Sequence, residues 1–243
     1  VKPYKWGKDE SMTEQDWFGE VEFANNPSQR SACLVLIDAS DSMCQIWPGE
    51  QRSPLDELSG GLDTLIASIR KDPLAKARVE LSFLMFGTTP AEPTPFATVD
   101  DVVLPHLIPM GITNSAEAIQ VGLDHLENRK QDYKRNGIPY TRPMVIFLTD
   151  GLSTSSKEDM AAASSRIKEM EAGKKLSFFA IGVGDGTDKA ELDSLGTRES
   201  VSLRGMSFGP LFEWLSASMS SVSASSPEAD RVPLPSPAGW AEF

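Results

Sequence analysis

Three short, uninterrupted apolar runs constrain this chain more than any other feature: CLVLID at 33–38, PMVIFLTDG at 143–151 and KLSFFAIGVG at 175–184. A strand with one wet face alternates polar and apolar residues. A strand covered on both faces does not, and these runs read as the second kind. Helical patterns separate them. Residues 53–72 carry Leu55, Leu58, Leu62, Leu65, Ile66 and Ile69 at helical spacing, with Pro54 suited to a first turn. Residues 114–134 place Ala118, Val121, Gly122 and His125 on one side, and Asn114 or Thr113 can cap the start. Residues 157–173 are alanine-rich and end in Gly173, a good helix stop. Residues 188–195 form a short helix, and 208–225 a last one with Leu211, Trp214, Leu215, Ser218 and Met219 in a stripe. Further strands are expected at 78–87 and 200–204, and a weaker one at 95–101 that pairs with 78–87 as a hairpin. Buried strands alternating with helices predict a doubly wound, mostly parallel α/β sheet with helices on both faces. Such sheets bind ligands beyond the carboxyl ends of their strands, so the loops after 33–38 and 143–149 are the first places to look.

Those loops are rich in oxygen ligands. The first run ends in Asp38-Ala39-Ser40-Asp41-Ser42, a D-x-S-x-S pattern, and the second ends in Thr149-Asp150-Gly151. Between them, Gly111-Ile112-Thr113 opens a helix. Two carboxylates and three hydroxyls are hard donors that suit Mg²⁺ or Mn²⁺ (Ca²⁺ by the same chemistry), and do not suit zinc or copper. Two aspartates facing each other without a cation would raise each other's pKa, and a divalent ion relieves that repulsion.

D-x-S-x-S, a Thr in a G-x-T turn and an Asp in T-D-G resemble the metal-ion-dependent adhesion site of von Willebrand factor A domains, over roughly residues 31–224. RVELSFLMFG, NGIPYTRPMVIFLTDG, KKLSFFAIGVG and LFEWLSASMSSVS look like the bacterial TerY-type branch, which is linked with tellurium resistance. The resemblance implies a six-stranded sheet of order 3-2-1-4-5-6 with one antiparallel edge strand. It implies Ser40, Ser42 and Thr113 as hydroxyl ligands, with Asp38 and Asp150 acting directly or through water. It further implies a non-enzymatic adaptor that captures an acidic group of a partner protein through the metal. The expected partners are a protein kinase and a PP2C-type phosphatase, in a stress, tellurite-resistance or phage-defence system. Asp41 departs from the family, where Gly is common. It is read as facing solvent; a further ligand, or a group partly filling the open metal position, is the alternative.

The remaining expectations concern the ends and the exclusions. Residues 1–30 read as an acidic N-terminal extension whose Trp6, Trp17 and Phe18 could dock as an arm. Residues 31–224 read as the A-type domain, and 225–243 as an extended Pro-rich tail with Trp240 and Phe243 as anchors. Net charge is −12, from 23 Lys and Arg against 35 Asp and Glu. That repels nucleic-acid phosphates and anionic membranes. No run of about 18 apolar residues is present for a membrane span, and the start lacks an apolar signal core. Cys33 reads as core. Two cysteines and two distant histidines, His106 and His125, do not make a structural zinc site. The pattern fits a reducing, cytoplasmic setting. The rival class is a metal-dependent phosphotransferase of haloacid-dehalogenase type, which also carries an Asp at the tip of its first buried strand. It needs a second Asp two residues on, where this chain has Ser40. Gly182–Gly186 lacks dinucleotide-motif spacing and reads as a tight turn.

Overall fold

All eight residues of β1 (Ser31–Asp38) are buried. It lies between β2 (Val79–Phe86) and β4 (Met144–Thr149), parallel to both, with Cys33 opposite Leu81 on one side and Met144 on the other. This central position explains the apolar run. The computed structural model describes residues 23–184, 186–203, 205–237 and 241–242. Beyond β4 come β5 (Ser177–Val183) and β6 (Val201–Leu203), both parallel. On the other side, β3 (Ala97–Thr98) pairs antiparallel with β2. The order 3-2-1-4-5-6 with its antiparallel edge is therefore as the resemblance implies, although β3 has two residues rather than seven. A seventh strand, β7 (Ala241–Glu242), extends it antiparallel to β6. The expected anchors Trp240 and Phe243 lie outside the described residues, as do Trp6, Trp17 and Phe18.

Helices cover both faces. On one face α1 (Pro54–Ile69) and α6 (Phe208–Ala224) pack Leu58, Leu62, Leu65, Leu211 and Leu215 against Val35 and Ile37 of β1. Ser53 and Asp56 form a reciprocal cap at the start of α1. On the other face α3 (Ser115–Arg135), α4 (Lys157–Ala172) and α5 (Lys189–Leu195) pack Ile119, Leu123, Ile167 and Leu192 against Leu34 and Leu36.

Several local expectations shift. The helix expected to continue to 72 stops at Ile69, and Asp72 caps a separate α2 (Pro73–Arg78) with Pro73 in its first turn. Asp72 accepts from the amides of Leu74 and Ala75, so a new helix starts where an acidic cap precedes a proline. On α3 the buried face centres on Ala118, Ile119, Leu123 and Leu126, and leaves Val121 and His125 half-buried. Gly173 follows α4 at φ −77, and the left-handed residue is Lys174, at φ 55. Residues 231–237 carry neither helix nor strand, and the tail is tied down, since Trp214 Nε1 donates to the Pro235 carbonyl at 2.8 Å.

Candidate metal centre

The first loop turns immediately. Ser40 begins a one-turn 3₁₀ helix, Asp41–Cys44, at the carboxyl end of β1. Its amide donates to Asp38 Oδ1 at 2.8 Å, while Thr149 Oγ1 donates to Asp38 Oδ2 at 2.5 Å. Ser40 Oγ lies 3.1 Å from Ser42 Oγ, and Ser42 Oγ donates to Asp150 Oδ1 at 2.8 Å. Asp38, Ser40, Ser42 and Asp150 thus form one hydrogen-bonded set drawn from positions more than a hundred residues apart. Asp41 is exposed.

The segment leading into Thr113 is tied beside the D-x-S-x-S loop by backbone bonds, while among the described residues no hydrogen bond of the Thr113 hydroxyl joins it to the Asp38–Asp150 set. The Met110 amide donates to the Ala39 carbonyl at 2.7 Å, and the Asp41 amide donates to the Gly111 carbonyl at 2.8 Å. The Asn114 amide donates to the Gly87 carbonyl at 2.9 Å. The Thr113 carbonyl accepts from the amide and hydroxyl of Thr154, at 2.8 and 2.9 Å. Gly111 has φ 83, and an added Cβ there would stand 2.4 Å from Thr88 Oγ1, so the G-x-T turn requires glycine.

Three contributors were not singled out in the sequence. Thr149 sits inside the T-D-G motif and holds Asp38 in place. Ser155 Oγ accepts from the Ala116 amide at 3.1 Å, and Ser153 Oγ lies within reach of the Ser115 amide. These two serines cap α3 from a different loop, whereas the Asn114 side chain makes no cap bond. A serine-rich stretch after Asp-Gly is the only hint of this in the sequence.

Electrostatics favours a cation. Burial pushes the Asp38 carboxyl up, against hydrogen bonds from Thr149 and Ser40 that favour its ionised form. Asp150 is pushed up to about 6, chiefly by burial, with the hydrogen bond from Ser42 opposing and the Asp38 charge adding. Two carboxyls that ionise reluctantly, surrounded by hydroxyls, are a donor set that a hard divalent cation fits. Among the described residues no group of three or more His, Cys, Asp or Glu is placed to hold a metal. His125 is engaged elsewhere: its Nε2 lies 3.1 Å from Ser82 Oγ and its ring stacks on Phe96. Cys33 is buried in the core and Cys44 is half-buried, both as free thiols. No described helix is long and apolar enough to cross a membrane.

The von Willebrand factor type A domain model matches residues 34–209. No curated protein sequence matches the chain. Among solved structures, the PilB minor pilin from Streptococcus sanguinis superposes with a TM-score of 0.57 at 14% identity, covering 79% of this chain and 62% of that one. The pilus adhesin SpaC from Lactobacillus rhamnosus GG gives 0.59 at 11% identity, covering 79% and 31%. Proximal thread matrix protein 1 from the mussel byssus, in a form with a zinc-occupied MIDAS motif, gives 0.52 at 18%, covering 80% and 48%. The chain spans less than two thirds of the length of each. At these identities the likeness is one of fold.

Proposed function

The chain belongs to the von Willebrand factor type A domain family, and on that premise we propose that it is a non-enzymatic adaptor whose Asp38, Ser40, Ser42, Thr113 and Asp150 hold Mg²⁺ or a similar hard divalent cation for partner capture. The observation that carries this reading is the hydrogen-bonded set joining Asp38, Ser40, Ser42 and Asp150, with Asp150 pushed up to about 6 by burial. Such a cation supplies an electrophilic position that a partner's carboxylate can complete. The protein's own groups orient that position: Thr149 and the Ser40 amide fix Asp38, and Ser42 fixes Asp150. Hydroxyl donors add no charge, so the ion keeps its appetite for an external anion. The proposed setting is a cytoplasmic TerY-type stress, tellurite-resistance or phage-defence system, with a protein kinase and a PP2C-type phosphatase as partners. The phrases at 78–87, 136–151 and 174–184 support that branch, and the two free thiols support a reducing compartment. The phosphotransferase reading is disfavoured because the position two residues past Asp38 holds Ser40, whose hydroxyl lies against Ser42, and not a second carboxylate.

At a hundred times its dissociation constant, Mg²⁺ or Mn²⁺ is expected to stabilise the fold by about 2.7 kcal/mol. That raises Tm by roughly 5–11 °C, reversibly with chelator. The wild-type chain immobilised with Mg²⁺ is expected to retain a host kinase or phosphatase, identified by mass spectrometry. Chelator, Asp38→Ala and the exposed Ser42→Ala are each expected to release it. Equal recovery by wild type and by folded variants would show that capture does not run through the rim.

Metal affinity is also expected to fall with pH. In the metal-free fold Asp150 keeps its proton up to about pH 6, well above the value of an unfolded aspartate. Its proton therefore favours folding at low pH, and that contribution is lost as pH rises through about 6. A cation must displace the proton below that point, so the apparent Kd for Mn²⁺ is expected to rise from pH 7.5 to 5.5. A flat titration across that window would remove Asp150 from the ligand set.

A further inference from the structure

At the pole opposite the rim, where β4 and β5 begin, a cavity of about 590 Å³ opens between the end of α3, the α4–β5 turn and the C-terminal tail. That volume suits a small ligand. Its charge runs against the chain's: five lining residues are Lys or Arg and three are Asp or Glu, in a protein of net charge −12. Lys130 is buried and already bonded to Glu127. By contrast, the ammonium groups of Lys134 and Lys175 have no hydrogen-bonded or ion-paired partner among the described residues. Lys174 is paired with the Asp230 carboxylate, and Arg142 Nη2 donates to the Asp230 carbonyl at 3.1 Å.

Asp230 therefore occupies the cavity as an internal anion. Its carboxyl is held below the usual range, first by the hydrogen bond and charge of Lys174, with Arg142 and Arg231 adding. The cavity is able to hold negative charge, and it has two further cations that Asp230 leaves unmatched. The wall formed by 227–230 lies outside the stretch matched by the family model.

We infer that this cavity binds a multivalent oxyanion of the phosphate class, gripped by Lys134, Arg142, Lys174 and Lys175, with Asp230 as the internal competitor it displaces. The planar guanidinium of Arg142 and the point charges of the lysines are complementary to tetrahedral phosphate oxygens. The site is independent of the metal centre, and its test is run in chelator so that no rim cation contributes.

Calorimetric titration of the full chain with pyrophosphate, at constant ionic strength, is expected to show saturable binding. Lys134→Ala combined with Lys175→Ala changes two exposed side chains. It is expected to weaken binding at least about tenfold, with an unchanged melting curve showing that the fold is kept. Asp230→Asn is expected to tighten binding, because the internal competitor for Lys174 and Arg142 is removed. A phosphoserine peptide titrated in parallel separates the two sources of the same chemistry. Tighter pyrophosphate binding would point to a free anion and tighter peptide binding to a phosphorylated protein segment. No saturable binding of either probe, or an affinity unchanged in the double lysine variant, would overturn the assignment.

Discussion

Glu80→Ala is expected to cost about 3–5 kcal/mol, or a fall in Tm of roughly 6–20 °C. Glu80 sits within β2 at 0% exposure. Its Oε1 accepts from Arg30 Nε at 2.6 Å, and its Oε2 accepts from Arg129 Nε at 2.8 Å and from the Tyr133 hydroxyl at 2.5 Å. Arg30 is 1% exposed and spends its other donors on the Ser28 and Asn26 carbonyls, so it has no route to water. Burial and the Glu80 charge push the Tyr133 hydroxyl well up, so it remains a donor across the working range of pH. Truncating Glu80 leaves the Arg30 guanidinium charged, buried and without its carboxylate, and that desolvation is the main cost. Glu80→Gln keeps the volume and two lone pairs, and is expected to fall between wild type and alanine. Urea unfolding of the three proteins measures the series. A Glu80→Ala loss below about 1 kcal/mol would mean that water reaches Arg30, contrary to the packing.

Gly87→Ala is the second large effect, and it acts on the metal centre. A Cβ on Gly87 would stand 2.2 Å from the Met110 carbonyl oxygen and 2.3 Å from the Met110 Cβ. The neighbour is backbone, pinned by the Thr88 amide at 2.7 Å and by its own amide on the Ala39 carbonyl. It cannot yield as a flexible side chain would. Displacing it strains the strap that carries Gly111 and Thr113 beside the D-x-S-x-S loop. The expected cost is about 1–3 kcal/mol of stability, with at least about a tenfold loss of Mn²⁺ affinity in a folded protein. The two readouts separate general damage from damage to the rim. Wild-type metal affinity in a folded Gly87→Ala chain would show that the Met110 strap does not position the ligands.

What the sequence made legible, and what it hid, divides by range of interaction. The runs at 33–38, 143–151 and 175–184 expose central strands because burial on both faces writes itself locally as continuous apolar residues. The meeting of Asp38, Ser40, Ser42 and Asp150 was legible because each sits at or just past the end of a strand in a short motif. The Glu80 cluster was not, since the acidic residue in RVELSFLMFG looks like the wet face of an edge strand. Its partners come from Arg30, placed in a segment read as an extension, and from Arg129 and Tyr133 on the polar-looking half of α3. No local period announces a charge that is neutralised from fifty residues away. The G-x-T turn was legible, but the strap that seats it depends on Gly87, which reads only as the end of a strand. The seat of the tail against Trp214 is likewise set by a contact distant in sequence, whereas the left-handed Lys174 belongs to a local helix end, where the Lys175 amide donates to the Met170 carbonyl at 2.8 Å.

Both margins of the described sheet finish in stubs, β3 and β7, of two residues each and antiparallel to their neighbours. A stub this short presents too few open amides to seed ribbon growth from one molecule to the next. The described sheet therefore offers a neighbouring molecule little open edge to pair with.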